Sequence, residues 1–185
     1  MKKIITLLLA AASLASAQPT RVACVGDSIT YGSGIKERDK NSYPAQLQKI
    51  LGEKFEIKNF GVGGATMLNN GNKPYVQQPA YQASLDYQPN VVIIKLGSND
   101  SKPDNWKLVA EFLPDTLNLI RSYQQLDSAP RVILCTPIPA YQNDQDHNVY
   151  GITDEVIIKQ QIPALLKASK ETAVELINLH QEYNL

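Results

Sequence analysis

Five short apolar runs punctuate the chain, at Val22–Val25, Phe55–Phe60, Val91–Leu96, Arg131–Thr136 and Val174–Leu179. Each is bounded by turn residues, and several are rich in Val and Ile, as strands buried on both faces of a sheet are. Helical patterns lie between them. "YPAQLQKILG" opens with Pro44 near a helix start and closes on Gly52. "DNWKLVAEFLPDTLNLIRSYQQL" spaces its apolar residues helically, with Pro114 expected to bend it. "TDEVIIKQQIPALLKASKET" follows a Thr153 cap with acids in its first turn. Strand and helix in strict alternation imply right-handed crossovers and a parallel sheet with helices on both sides. The expectation is a three-layer α/β domain built on a five-stranded parallel sheet.

The first residues stand outside that alternation. "MKKIITLLLAAASLASAQ" joins a basic start, Lys2 and Lys3, to an apolar stretch and ends in Ala15-Ser16-Ala17. That is the layout of a secretory signal peptide cleaved after Ala17, and its apolar stretch is too short to span a bilayer. The plainer alternative is a frayed N-terminal helix. On the first account residues 1–17 are removed and residues 18–185 form one exported domain, periplasmic or secreted, with no stable membrane anchor. Eighteen basic residues cancel eighteen acidic ones without a long run of either sign. Nothing in the charge pattern therefore calls for nucleic acid or an anionic surface as partner. Cys24 and Cys135 each sit within an apolar run. A third strand is expected between them, so both read as buried thiols rather than a disulfide.

In an open parallel sheet, ligands bind outside the carboxyl ends of the strands. Three of the strands end in chemically loaded loops: "GDSIT" after the first, "NFGVGGAT" after the second and "GSND" after the third. Each loop alone has an ordinary explanation. Ser28 suits a turn or helix cap, Gly61, Gly63 and Gly64 suit tight turns, and Asn99 suits a cap or a glycosylation sequon with Ser101. A dinucleotide site fails on spacing, because Thr66 stands where a third glycine belongs and the loop follows the second strand. A nucleotide or flavin module also needs a phosphate cradle after the first strand, where Asp27 would repel phosphate. Together, all three loops are expected on one edge.

In that order, "GDSIT", "NFGVGGAT" and "GSND" resemble the first three blocks of the SGNH hydrolases, also called the GDSL esterase/lipase family. "SYPAQLQKIL" and "VILCTPIP" are similar to the family's intervening segments, so the resemblance runs from Arg21 to about Leu179. It implies a flavodoxin-like sheet in strand order 2-1-3-4-5 and hydrolysis of esters or thioesters. It also implies catalytic roles for Ser28 as nucleophile and for the Gly64 backbone N–H and Asn99 side-chain amide as oxyanion donors. Acyl transfer builds negative charge on a carbonyl oxygen, which such preorganised donors stabilise. No metal or other cofactor is required.

Relatives carry a fourth block, Asp-x-x-His, beyond the fifth strand, and its histidine serves as base for the serine. Here "VELINLH" is followed by "QEYNL". The expectation is therefore a domain truncated at its C-terminus, without the closing helix and with little turnover of its own. Two histidines remain to be placed. His180 has Ile177 where the block has Asp, and a structural or exposed role is expected. Asp144-Gln145-Asp146-His147 does spell Asp-x-x-His, after the fourth strand, although a solvated polar loop is the plainer reading there. The expected partner is a small ester, and the tyrosine- and amide-rich loops after the second and fourth strands favour an acyl group on a carbohydrate. A non-catalytic carbohydrate-binding relative and a lysophospholipase or thioesterase are the alternatives.

Overall fold

Each apolar run becomes a strand because its flanks cannot. In the computed structural model, which describes residues 18–141 and 150–183, β1 (Thr20–Gly26), β2 (Phe55–Gly61), β3 (Val91–Lys95), β4 (Arg131–Cys135) and β5 (Glu175–Ile177) form one sheet. All neighbours are parallel, in the order β2-β1-β3-β4-β5. That is the expected α/β architecture. Burial on both faces holds for β1 but not for the edges, where β2 and β5 keep exposed residues. Their position supplies the reason, since an edge strand has one neighbour instead of two.

Ala23, Val25, Val92, Ile94, Val132 and Leu134 alternate along three adjacent strands and belong to one buried cluster. The helices that follow β2, β3 and β4 supply its other half: α4 (Pro79–Asp86), α6 (Val109–Gln124) and α8 (Ile162–Thr172). On the opposite face the one-turn α2 (Arg38–Asn41) leads into α3 (Tyr43–Leu51), which sets Tyr43 against Cys24, whose thiol burial pushes up to about 12. Cys24 and Cys135 are free and buried, on strands separated by β3.

Two helical expectations change. The long segment after β3 divides into α5 (Pro103–Trp106) and α6, with the break at Lys107–Leu108, while Pro114 is accommodated inside α6. The segment after β4 begins as one turn, α7 (Asp154–Val156), passes through a π-helical stretch at Ile157–Gln161, and continues as α8. Thr153 precedes α7 but makes no side-chain cap; its backbone N–H donates instead to Ser101 Oγ at 2.9 Å. Beyond β5 the described residues form a single helical turn, α9 (Leu179–Glu182), where the resemblance implies an Asp-x-x-His loop. Residues 1–17 and the Asp144–His147 motif lie outside the described residues.

Candidate active site

Register decides where the three loops meet. Gly26, the last residue of β1, pairs with Gly61 at the end of β2 and with Lys95 at the end of β3. The chain therefore leaves all three strands from one edge, and Val62 N–H donates across it to the Gly26 carbonyl at 2.9 Å. Ser28, Gly64 and Asn99 stand on these adjacent loops.

Ser28 opens a one-turn helix, α1 (Ser28–Tyr31). The cap is Asp27 rather than the serine: its Oδ1 accepts from Ile29 N–H at 2.9 Å. With that task taken, the half-buried Ser28 hydroxyl has no hydrogen-bond partner among the described residues. Its own N–H is one of the orphan donors of a helix start and points at no described acceptor. Beneath this turn lies a buried ion pair. Lys95 Nζ stands 3.1 Å from Asp27 Oδ2 and 2.9 Å from Ser98 Oγ, so one ammonium binds the serine turn to the Gly97–Asp100 loop. Sequence reading missed Lys95; the available signal was a charge closing the otherwise apolar run "VVIIK".

The second loop is pinned to the first by small contacts. A Cβ on Gly61 would lie 2.2 Å from Tyr31 N, so only glycine lets β2 end this close to α1. Asn59 closes the same junction, donating from Nδ2 to Thr30 O at 2.8 Å and accepting from Gly61 N–H at 2.9 Å. Gly64 adopts a left-handed φ of +79°, and its N–H meets no described acceptor. Asn99 Nδ2 donates to Ala65 O at 3.0 Å, which spends one of its two amide hydrogens and orients the other. Three donors thus remain unspent along one edge: Ser28 N–H, Gly64 N–H and the second hydrogen of Asn99.

The long segment after Thr66 is a clamp rather than a solvated loop. The buried Asp100 carboxylate accepts from Met67 N–H at 3.0 Å and Leu68 N–H at 2.8 Å. Burial raises that carboxyl to about 7, against the lowering effect of the two N–H groups. Asp115 takes Asn69 N–H at 2.7 Å, and Asn105 joins Asn99 O to Asn72 N–H, both at 2.8 Å. Its tyrosines turn inward: Tyr75 is 1% exposed and donates to Phe60 O at 2.9 Å, and Tyr87 OH donates to Glu56 O at 2.8 Å. The expected sugar-facing character of this segment is corrected accordingly, because its aromatic residues serve the core.

The histidines part company. His180 is buried, with Nε2 3.0 Å from Asp154 Oδ1 and its backbone N–H on Thr136 Oγ1 at 3.1 Å. These two contacts fasten α9 to the residue after β4 and to α7. Among the described residues, none supplies a base hydrogen-bonded to Ser28.

With this geometry in place, comparison with known proteins is informative. A model of the GDSL-like Lipase/Acylhydrolase family matches residues 24–183. An acetylxylan esterase of Xylanibacter ruminicola is 42% identical over 177 residues, covering 86% of this chain. The chain spans only 36% of that relative's length. Among solved structures, a carbohydrate acetylesterase from Sinorhizobium meliloti superposes with a TM-score of 0.70 at 20% identity, covering 87% of this chain and 84% of its own. An aryl esterase from M. smegmatis gives 0.66 at 17% identity, covering 88% and 85%. These two show a shared fold. Three ordered blocks on one sheet edge and a family match across nearly the whole described chain lead to one statement: this chain belongs to the GDSL-like lipase/acylhydrolase family.

Proposed function

We propose that this chain is the hydrolase domain of an exported serine esterase that removes small acyl groups from a carbohydrate. The single observation that carries this is the cluster of unspent groups at one sheet edge: a half-buried Ser28 hydroxyl flanked by Ser28 N–H, Gly64 N–H and the Asn99 amide. In this account Ser28 Oγ attacks the acyl carbon and gives up its proton. The carbonyl oxygen takes the negative charge and is held by the three donors. The tetrahedral intermediate then collapses, the alcohol leaves with a proton, and water releases the acid from the serine by the same route. The sugar alcohol and small acyl group are favoured by the relatives named as acetylxylan esterase and carbohydrate acetylesterase.

Serine needs a base. His180 makes no hydrogen bond to Ser28, so in this proposal the base lies outside the described residues: His147 with Asp144, or a histidine encoded beyond Leu185 in a longer protein. Turnover of p-nitrophenyl acetate by the encoded protein, by Ser28→Ala and by His147→Ala tests both points. Loss with Ser28→Ala supports the nucleophile, and turnover that survives it ends the assignment. Retention with His147→Ala moves the base downstream. Export is part of the same proposal, and a secreted product beginning at Gln18 is the expected mass-spectrometric result.

A further inference from the structure

At the β2 edge of the sheet, reached from Ser28 along the single turn of α1, lies a cavity of about 340 Å³ that no step of ester hydrolysis uses. It is bounded by α3, by β2 and by Tyr31, the last residue of the helix that Ser28 begins. Tyr31 is 42% exposed, and the Arg38 guanidinium lies over its ring at 4.2 Å from the centroid. That contact fixes the ring as one wall of the cavity. Pro44, Ala45 and Ile57 give the apolar part of the lining.

Its polar part is unusual in having groups to spare. Ser42 immediately precedes α3, where a serine hydroxyl ordinarily caps the first turn. Here it makes no cap bond, and Pro44 has removed one of the N–H groups it would use. Although Ser42 is only 4% exposed and lines the cavity, its hydroxyl has no hydrogen-bond partner among the described residues. The Tyr31 hydroxyl is likewise uncommitted, and Asp39 gives only Oδ1 to Arg38, leaving Oδ2. Gln48, by contrast, spends its amide on Gly52 O, Phe55 O and Ile57 N–H and only shapes the wall.

We propose that this cavity is a subsite for a neutral sugar ring of the ester's alcohol, an inference that rests on the esterase function proposed above. A sugar presents an apolar C–H face to an aromatic ring and hydroxyls at its rim, which Ser42, Tyr31 and Asp39 meet with donors and acceptors. An anionic sugar would meet the Asp39 carboxylate beside Arg38 and find no net positive charge to offset its desolvation. A long acyl chain would have to desolvate the Arg38–Asp39 pair. The neutral ring incurs neither cost.

Two variants, Tyr31→Ala and Ser42→Val, test this with paired substrates. Each is expected to raise KM for acetylated xylotriose about tenfold while leaving kcat/KM for p-nitrophenyl acetate within about twofold. Tyr31→Phe keeps the ring but removes the hydroxyl, and is expected to raise KM for the sugar ester by less than Tyr31→Ala does. Equal losses on both substrates would overturn the subsite. A second arm needs no hydrolysis: unacetylated xylotriose is titrated into the protein while the backbone amides of Gly32, Ser42 and Gly61 are followed by NMR. Shifts at these amides that vanish in the double variant support the subsite even if neither ester is cleaved, in which case only the esterase function falls. Ester hydrolysis without sugar-dependent shifts there overturns the subsite alone.

Discussion

Lys95 Nζ lies 3.1 Å from Asp27 Oδ2, and both side chains are buried. The pair joins the residue before Ser28 to the strand that carries the Asn99 loop. Breaking a buried pair leaves the survivor charged without a partner, so Lys95→Met is expected to destabilise the fold by about 3–5 kcal/mol. Adding Asp27→Asn should recover part of that loss, since the amide keeps an acceptor for Ile29 N–H without a charge to bury. Urea unfolding of both variants measures the difference; a single variant as stable as the parent would show that the pair is not what holds the turn.

Asn99 has two amide hydrogens and spends one on Ala65 O. Removing an oxyanion donor lowers kcat about a hundredfold to a thousandfold. Asn99→Ala is therefore expected to fall in that range on p-nitrophenyl acetate, with KM little changed. A variant that raised KM while keeping kcat would place Asn99 in substrate binding instead.

Gly61 leaves no room for a methyl group, with Tyr31 N at 2.2 Å and Thr30 C at 2.6 Å from the Cβ position. Both obstacles are backbone and cannot swing away. Gly61→Ala is expected to displace α1, cost on the order of 1–3 kcal/mol, and depress turnover with it. Thermal unfolding and p-nitrophenyl acetate assays check the two halves separately.

Asp100 gives a pH dependence with a definite sign. Its carboxyl rises from an ordinary 3.8 to about 7 when the chain folds, because it is buried. Below the ordinary value both states hold the proton and this group contributes no difference. As pH rises from about 4 to about 7 the unfolded chain loses the proton first, so folding stability declines; above that it levels off. Asp100→Asn cannot titrate there. The stability of the parent relative to this variant should fall across that window, and urea midpoints at several pH values measure it. A difference that grew with pH would contradict the assignment.

The gathering of the Ser28, Gly64 and Asn99 loops on one edge was legible in the sequence because each follows a strand end, and a parallel sheet sends all its strand ends to one edge. The roles proposed for these residues came from the family resemblance. The sheet order followed from the family resemblance, and the observed pairing agrees with it. Lys95 was not legible: a lysine ending an apolar run is equally a strand leaving the core, and only the pairing of Gly26 with Lys95 brings it to Asp27. Tyr75 was misread for a related reason. Residue type marked its loop as polar, but the acceptor that draws its hydroxyl inward, Phe60 O, lies in β2. Helix breaks were hidden as well, since Pro114 is tolerated within α6 while the chain turns at Lys107–Leu108.

The convergence of three loops on one carbonyl is tested most directly by a crystal structure of the encoded protein after reaction with a p-nitrophenyl phosphonate. The account predicts phosphorus bonded to Ser28 Oγ, with one phosphoryl oxygen about 2.7–3.1 Å from Ser28 N, Gly64 N and Asn99 Nδ2. An adduct on another residue, or a phosphoryl oxygen turned away from Gly64 and Asn99, would contradict it.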